Sequence, residues 1–595
     1  MTNYQFNLRE VQYILEELIG LNQLKTQDRD TELTSDFIRD ILTEAAKFGA
    51  EVLAPLYSDL HRSGPELKDG AILMSPEMKV AYRKFSEGGW GAITAAKAFS
   101  GFGFPRVVGL AVEEIWHGTH LGFALCSLLT QGAAETILRA GTEAQQKKYL
   151  PNLISGRWAG TMNLTESQAG SDLSNITTRA IPEGDGTYRI TGQKIFITYG
   201  DHDLTENIIH LVLAKLPDAP KGVKGLSLFI VSKYLVKENG ALGDKNFISV
   251  LANEHKLGLL ASPTCVLKYG QEKGALGELL GSANQGLSIM FMMMNQARFS
   301  VGVQGLAMGA RAYQGALAYA RERIQGIPIG GDKPAPIVDH GAVHVLLSTM
   351  KIRTEASRFL VYYVASLMDH SSSGVDESEK QKAEQLIDLL IPVIKGFCTE
   401  QGVMNAHDAI QVMGGMGYME ESGMAQVWRD ARITTIYEGT TQIQANDLMG
   451  RKIIKDGGEV LRRLFAVMDL SVQDPAEEDI LTGYQKKFRT GLQQAETCTE
   501  YLIALSGNNP AACFAVAPQY LELLGWLVSG WWFLKSGSYA QQKIKSTKIS
   551  SEYYQGKWSS LEYFMAFQWP QCQHLTALIH SAAEKSFVIT NAQLG

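Results

Sequence analysis

The sequence predicts a mainly α-helical protein with one central β domain and an extra helical domain at its C-terminal end. Three observations predict it. In the first quarter of the chain, apolar residues recur three and four apart, the signature of helices with one buried face. Between Trp158 and Leu280 the texture changes to short, alternating, β-branched runs separated by Gly, Pro and Asp. Helical periodicity then returns at Gly286 and continues past Gly450 far enough to build a further core. Domains are accordingly expected at residues 1–157, 158–282, 283–452 and 453–595.

The run from Asp36 to Phe48 reads as a helix with Asp36 as its cap. A loop at Phe99–Pro105 interrupts, and helix resumes from Leu110 to Ala140. Its inner stretch, Leu121–Ala133, is apolar almost all round, which fits either a buried packing helix or one wall of an apolar ligand channel. The strand-like runs are Thr187–Gly192, Lys194–Thr198, His210–Lys215 and Leu226–Val231. From Ile289 to Arg323 one long helix is expected, and its Met cluster reads as adaptable core. A linker at Asp332–Pro336 and a polar break at Ser371–Asp376 punctuate the helical region beyond it. The apolar window Tyr520–Leu534 is shorter than a membrane span and carries Glu522, so a buried helix is expected there.

At 595 residues the chain exceeds one core, and a hydrophobic fraction of 45% with 20% charged residues excludes disordered and fibrous classes. A net charge of −7 does not favour a polyanionic partner. Six cysteines, Cys126, Cys265, Cys398, Cys498, Cys513 and Cys572, are scattered without a C-x-x-C pair or a nearby His at metal spacing. Reduced thiols, a cytoplasmic setting and no bound metal are expected. The segment Met1–Asn7 carries no export or transit pattern.

Two stretches carry groups suited to chemistry. Met162–Asp172, at the entry to the β domain, combines hydroxyls, amides and a flexible Gly; it reads as a polar turn or as a loop that wraps a polar cofactor and offers Ser171 to a phosphate. No Lys-terminated phosphate loop or G-x-G-x-x-G is present, so a Rossmann dinucleotide site is not suggested. Tyr437-Glu438-Gly439-Thr440 places a carboxylate at a break in backbone regularity beside hydroxyl and amide groups. Alone, it reads as a solvated helix end with Gly as the left-handed cap.

These stretches belong to a longer ordered set: Thr165-Glu166 with Gly170-Ser171-Asp172, then Lys194–Thr198, Glu254–Gly258, Arg298, Glu322-Arg323, Gln411–Tyr418 and Ile436–Gln444. In that order, across helical, β and helical regions, they resemble the acyl-CoA dehydrogenase family of flavoproteins. The N-terminal piece Tyr4–Leu24, the stretch from Ala261 through Gly281 and the C-terminal extension resemble a larger-subunit subgroup that includes the 3-methylmercaptopropionyl-CoA dehydrogenases.

The resemblance implies FAD bound against the β domain. Phe196 stands where the family packs an aromatic ring on the isoalloxazine, Thr198 where a hydroxyl reaches flavin N5, and Met162, Leu164, Thr165 and Gly170 along the pyrimidine side. Ser171 matches a phosphate or coenzyme A contact. Arg323, Gln411, Gly414 and Gly415 match positions that reach the pyrophosphate and adenine of a cofactor held mainly by the neighbouring subunit, which implies a homo-oligomer, a dimer being favoured. The family's aromatic residue three places after its Arg is absent, and the shorter Glu322–Gly326 stretch offers Gln325 instead. His340, behind a Pro-rich insert, matches a flavin-contacting His, while Gly439, Thr440 and Gln442 match further cofactor contacts.

The implied reaction is α,β-desaturation of an acyl-CoA thioester, Glu438 taking the α-proton and flavin N5 the β-hydride, with electrons passed to an electron-transferring flavoprotein. Hydrogen bonds to the thioester oxygen, including one from the Glu438 N–H, would stabilise the developing enolate, and an apolar acyl chain that excludes water would raise the carboxylate's basicity. Some members carry the base just before the equivalent of Arg298; here that residue is Ala297, which cannot accept a proton. Asn295, Arg298, Tyr437 and Ser171 are the expected substrate contacts. An alkylation-response relative with a DNA-binding C-terminal domain is a rival reading, yet from Arg451 onward 14 Lys and Arg face 13 Asp and Glu, which leaves no basic footprint. A flavin monooxygenase of the same fold is another, but it would not need a base at Glu438.

Overall fold

The computed structural model describes residues 4–21, 34–62, 64–270, 273–472, 480–546 and 552–594. They form two compact units, Ala45–Ser300 and Met1–Glu44 with Val301–Gly595. The ends of the expected domains at Met1 and Gly595, the Met1–Asn3 part of the N-terminal stretch and residues 22–24 of the N-terminal piece lie outside the described residues.

Helix α1, Ser35–Phe48, starts one residue earlier than expected. Its cap is Thr34, whose hydroxyl accepts from the Phe37 N–H at 3.2 Å. Asp36 already lies inside the first turn, where its carboxylate pairs with Arg39 at 2.7 Å rather than capping. A short hairpin follows, β1 Glu66–Lys68 and β2 Ala71–Leu73, within a region expected to be helical. Asp69-Gly70 turns it with φ of 50° and 74°, an Asp-Gly hairpin signal. Three-residue, largely exposed strands offer no alternation long enough to read.

Helix α2 runs Arg106–Ala140 from the N-cap residue Pro105, with a non-helical His120 (φ −156°, ψ 84°) in its middle. Among the described residues it is the helix long and apolar enough to cross a membrane, but 72% of its most apolar stretch is buried within the protein. That burial is the reason for its composition: it forms the floor of the β domain.

That domain is an eight-stranded sheet. Its strands are β3 Trp158–Asn163, β4 Arg179–Pro182, β5 Thr187–Thr198, β6 Asn207–Lys215, β7 Leu226–Ser232, β10 Ile248–Asn253, β11 Thr264–Tyr269 and β12 Ala275–Leu280. A separate pair, β8 Tyr234–Val236 and β9 Leu242–Lys245, lies apart. The sheet order is β10-β11-β5-β12-β7-β6-β3, with β4 pairing β5 and β6. Alternate residues of β6 and β7, Ile209, Leu211, Leu213, Leu226, Leu228 and Ile230, bury against Leu129, Ala133 and Ile137 of α2. The closest approach is at Gly160 on β3, where a Cβ would stand 2.5 Å from the Ala133 Cβ.

Helix α3, Gly286–Glu322, is the single long helix expected from the sequence. Beyond it, α4 Gly341–Ser372, α5 Glu377–Val393 and α6 Thr399–Met413 form a bundle, with Asp376 capping α5 through the Glu379 N–H at 3.0 Å. A π-helical turn, Ile394–Cys398, separates α5 from α6. Helices α3 and α6 cross at paired glycines: a Cβ on Gly402 would lie 2.2 Å from the Gly305 carbonyl oxygen, and one on Gly305 2.4 Å from that of Cys398.

After α7, Thr441–Asp447, the extension contributes α8 Ile480–Asn508, α9 Ala517–Ser546 and α10 Glu552–Tyr563. The expected apolar window is the buried heart of α9: Trp532 stacks on Phe359 of α4 with centroids 6.3 Å apart, and Trp526 meets Phe397 edge-on at 4.8 Å. Near α10 the chain's first described segment, helical over Leu8–Gln12 and Tyr13–Ile19, is locked in by charge. The buried Lys557 ammonium bonds Glu10 and, at 2.9 Å, Glu355, while Tyr553 donates to Glu10 at 3.0 Å. Burial pushes the Glu355 carboxyl up, but Lys351 and Lys557 overcome it and hold it at about 2.

The glycine crossing fixes a clear expectation. Gly402→Ala should destabilise the bundle by about 1–3 kcal/mol through overpacking, read as a lower denaturation midpoint, whereas Gly374→Ala, with open space at its Cβ position but φ 75°, should cost only about 1 kcal/mol of backbone strain.

Candidate active site

The β domain presents one unusual surface. On β5, Phe196 has φ 59° and is 59% exposed, although it stands among buried neighbours Lys194 and Ile197. A register shift in the β5–β11 pairing, opposite Cys265 and Leu267, marks a bulge here. The bulge re-aims the ring out of the sheet. Thr198, two residues on, is partly buried, and Tyr199, also at positive φ, anchors the strand end by donating to the Gly122 carbonyl at 2.7 Å.

The Met162–Asp172 loop is tied to this strand. Its Thr165 carbonyl accepts from the Ile195 N–H at 2.9 Å, and the buried Lys194 ammonium donates to Leu164 O at 2.8 Å and to Glu166 Oε1 at 2.9 Å. Glu166 also accepts from the Thr177 and Thr178 amides at 2.7 and 3.1 Å. Burial raises the Glu166 carboxyl, but Lys194 and these donors outweigh it and set it at about 2. Burial in turn lowers Lys194 to about 8. Met162, Leu164 and Thr165 are thereby brought beside the Phe196 strand, while Gly170 and Ser171 stay exposed at the loop's far end, with no atom within 4 Å of where a Gly170 Cβ would be.

In the same unit, Ala297 and Arg298 are buried on α3, the Arg298 guanidinium 5.9 Å from the Phe291 ring centre, and Asn295 is partly buried one turn earlier. The Leu121–Ala133 stretch is mostly buried packing, the first of its two readings; Ala124, Ser127, Leu128 and Gln131 line a cleft with Trp90, Thr94 and His117 of about 20 Å³, room for a water-sized molecule. Within that cleft Arg106 and His117 bond Glu113; burial raises its carboxyl, and they overcome burial to hold it at about 2.

In the other unit, the Tyr437–Gln442 stretch is a tight turn rather than a helix cap. Glu438 and Gly439 both have positive φ, 56° and 95°. Side chains from three elements fasten it. The Tyr437 hydroxyl bonds Gln304 Oε1 of α3, and burial, with Glu438 and Asp430 nearby, pushes the phenol well above its usual range. Gln444 Nε2 donates to the Glu438 carbonyl at 2.9 Å and to Gly439 O at 3.4 Å. The fully buried Lys395, in the π-helical turn, donates to Gly439 O at 2.6 Å. Thr440 then caps α7 by accepting from the Ile443 N–H at 3.3 Å. Gln442, expected at the cofactor, commits its amide hydrogens to Asn446 at 2.8 Å and to the Phe514 carbonyl at 3.1 Å.

Three more expected residues meet in an exposed loop. Arg323 donates to Gln325 Oε1 at 3.3 Å, His340 Nε2 lies 2.9 Å from Gln325 O, and Ile337 N–H bonds Arg323 O at 2.8 Å. The Asp332–Pro336 linker is part of this folded-back loop, bridged through Ile324 and Pro336. Gln411, Gly414 and Gly415 sit elsewhere, at the exposed end of α6, where Gly414 has φ 58° and Cβ positions on both glycines are open.

Sequence reasoning did not single out Glu166 with Lys194, Gln304, Lys395 or Gln444 as site residues. Lys395 left a signal: it is a lone cation inside the apolar run Leu389–Cys398. Gln304 is likewise a lone amide in an apolar helix face, and its buried Nε2 has no hydrogen-bond partner among the described residues.

Family models for the acyl-CoA dehydrogenase N-terminal, middle and C-terminal domains match residues 35–157, 161–270 and 284–453, and an acetyl-CoA dehydrogenase C-terminal-like model matches 464–589. The chain is 43% identical over 539 residues to the 3-methylmercaptopropionyl-CoA dehydrogenase of Ruegeria pomeroyi, covering 89% of this chain and 90% of that one. It belongs to the acyl-CoA dehydrogenase family. A broad-specificity linear acyl-CoA dehydrogenase of Mycobacterium tuberculosis is 32% identical over 587 residues, 95% of each chain. Among solved structures, Caenorhabditis elegans ACDH-11 in complex with C11-CoA matches 99% of this chain and 96% of its own with a TM-score of 0.75 at 19% identity. An acyl-CoA dehydrogenase complexed with FAD from Bacillus anthracis matches 95% and 90% with a TM-score of 0.71 at 22% identity. These two share the fold, including its extra C-terminal domain.

As an acyl-CoA dehydrogenase the protein is an oxidoreductase acting on acyl-CoA, with FAD as its cofactor. The β-domain surface fits that cofactor: an exposed aromatic face at Phe196, the Thr198 and Thr165 hydroxyls, and an open Gly170-Ser171 edge suit a flat polar ring with a phosphate-bearing tail.

Lys194→Met should leave Glu166 as a buried unpaired carboxylate and destabilise the β domain by about 3–5 kcal/mol, read by chemical denaturation. Because Glu166 is depressed in the folded protein, its contribution should be complete above its unfolded value of 4.5 and fall away as pH drops toward about 2.

Proposed function

We propose that the protein desaturates an acyl-CoA thioester to the trans-2-enoyl-CoA, with Glu438 as the base that takes the α-proton. The observation that carries this reading is the Glu438-Gly439 turn: a carboxylate held in left-handed backbone by three side chains is a strained feature of the kind that clusters at active sites. Ala297 supports it by leaving no proton acceptor at the family's alternative base position. Bound FAD supplies the two-electron acceptor for the β-hydride. Glu438 gains the α-proton, and its backbone N–H is assigned the role of donating to the thioester oxygen as negative charge develops there. Tyr437, Asn295, Arg298 and Ser171 are proposed to contact the substrate.

Around the cofactor we assign Met162, Leu164, Thr165, Gly170, Ser171, Phe196, Thr198, Gly439, Thr440 and Gln442 to its own subunit's site. Arg323, Gln325, His340, Gln411, Gly414 and Gly415 are assigned to a cofactor shared with a neighbouring copy. Exposed Ile324, Ile327, Met416 and Tyr418 beside these residues support a homo-oligomer, with a dimer as the simplest form. The four-domain division at 157, 282 and 452, a cytoplasmic location and an electron-transferring flavoprotein as acceptor complete the proposal. For the acyl group, the 43% identity to a 3-methylmercaptopropionyl-CoA dehydrogenase favours a short, sulfur-containing chain.

Glu438→Gln should lower anaerobic flavin bleaching by acyl-CoA by about 10²–10⁴-fold; full bleaching in that variant would sink the assignment. In a panel of straight-chain and sulfur-containing thioesters, 3-methylmercaptopropionyl-CoA should give the highest kcat/KM, and a maximum at a long alkyl chain would refute the substrate reading.

A further inference from the structure

We infer that Lys395 is a positioning residue for proton abstraction, acting through the Gly439 carbonyl to aim Glu438; this rests on the reading of Glu438 as the base. Left-handed backbone is disfavoured at a non-Gly residue such as Glu438, φ 56°, and here a second left-handed residue follows it at φ 95°. The neighbouring sequence does not impose that conformation. Gly439 relieves only its own position, and the next helix begins at Thr441. The turn must therefore be fixed from outside.

Two donors fix it. Gln444 belongs to the same stretch and moves with it, so its bonds shape the turn without anchoring it to the bundle. Lys395 is the donor from another element, 44 residues away in sequence. Its ammonium is fully buried, a placement unfavourable for a charge unless strong hydrogen bonds offset it. The 2.6 Å bond to Gly439 O is one of these.

Lys395 also sits in a π-helical turn, Ile394–Cys398. Such turns insert an extra residue and redirect the side chains beyond them. The same turn leads into α6, whose Glu400 accepts from the Thr441 hydroxyl at 2.6 Å. Gly439 and Thr441 are thus held by two successive elements of the bundle, the π-helical turn and α6. A one-ångström slip at such a turn would misplace the carboxylate against the α-carbon, an error that costs about 10²-fold in rate.

The test compares Lys395→Gln and Lys395→Met holoenzymes with wild type, all rates normalised per bound flavin. The Gln amide ends one bond short of the lysine nitrogen, so both variants lose the direct bond. Each should lower kcat for flavin bleaching about 10²-fold, change KM less than threefold, and raise the kinetic isotope effect with α-deuterated acyl-CoA as proton abstraction becomes limiting. Lys557→Met, which breaks the buried charge cluster at α10, serves as the stability control: its melting temperature should fall while its per-flavin kcat holds. Wild-type per-flavin turnover in either Lys395 variant overturns the inference, as does a loss confined to flavin content or melting temperature. An inactive Glu438→Gln enzyme beside active Lys395 variants would refute this role alone, whereas an active Glu438→Gln enzyme would remove the base itself.

Discussion

A left-handed turn at Glu438 and Gly439 is the constraint on which the proposed chemistry depends, and it is a conformation the local chain does not choose. For an L-residue such backbone costs about 1–2 kcal/mol, so the conformation persists only where surrounding groups over-determine it. Here Gln304 holds the Tyr437 phenol, Gln444 holds two successive carbonyls and Lys395 holds the second of them again. The glycine crossing of α3 and α6 serves the same end, because it lets α3, which carries Gln304, lie backbone to backbone against α6, which continues the Lys395 turn.

The β domain solves a parallel problem with a different device. In the proposed cofactor site a flat aromatic face is offered by a strand whose neighbours are buried, and a bulge with positive φ at Phe196 turns the ring outward without breaking the sheet. The loop that must lie beside it is held by a charge pair, Glu166 with Lys194, with both partners removed from water. The hydroxyls and amides of Thr177 and Thr178 complete the carboxylate's hydrogen bonding, which a buried ion pair needs to be tolerable.

Most of the architecture could be read from the chain because it follows from periodicity. The long helix from Gly286, the polar break before Glu377 and the buried aromatic helix of the extension all occur where the pattern places them. What escaped reading was local or long-range. The hairpin at Asp69-Gly70 was too short to alternate, and the cap of α1 is Thr34, two residues before an Asp equally suited by type. In the site, Glu438 and Phe196 stood out through the ordered motif set, whereas Lys395 and Gln304 act by reaching distant segments. A lone Lys in an apolar run is visible in sequence; its partner, 44 residues on, is not.

The charge cluster that joins Glu10 to Lys557 spans 547 residues of chain. During synthesis the first helical segment, with Tyr13, Ile14 and Leu15 destined for burial, emerges long before the lysine that neutralises Glu10 exists. Local bonds such as Arg9 to Glu17 at 2.8 Å do not bury it, because the groups that cover Tyr13 and Glu10 lie on α9 and α10. Burial of Tyr13, Ile14 and Leu15 is therefore tied to contacts of very high sequence separation, whose closure entropy is met late, and until then these apolar side chains stay uncovered.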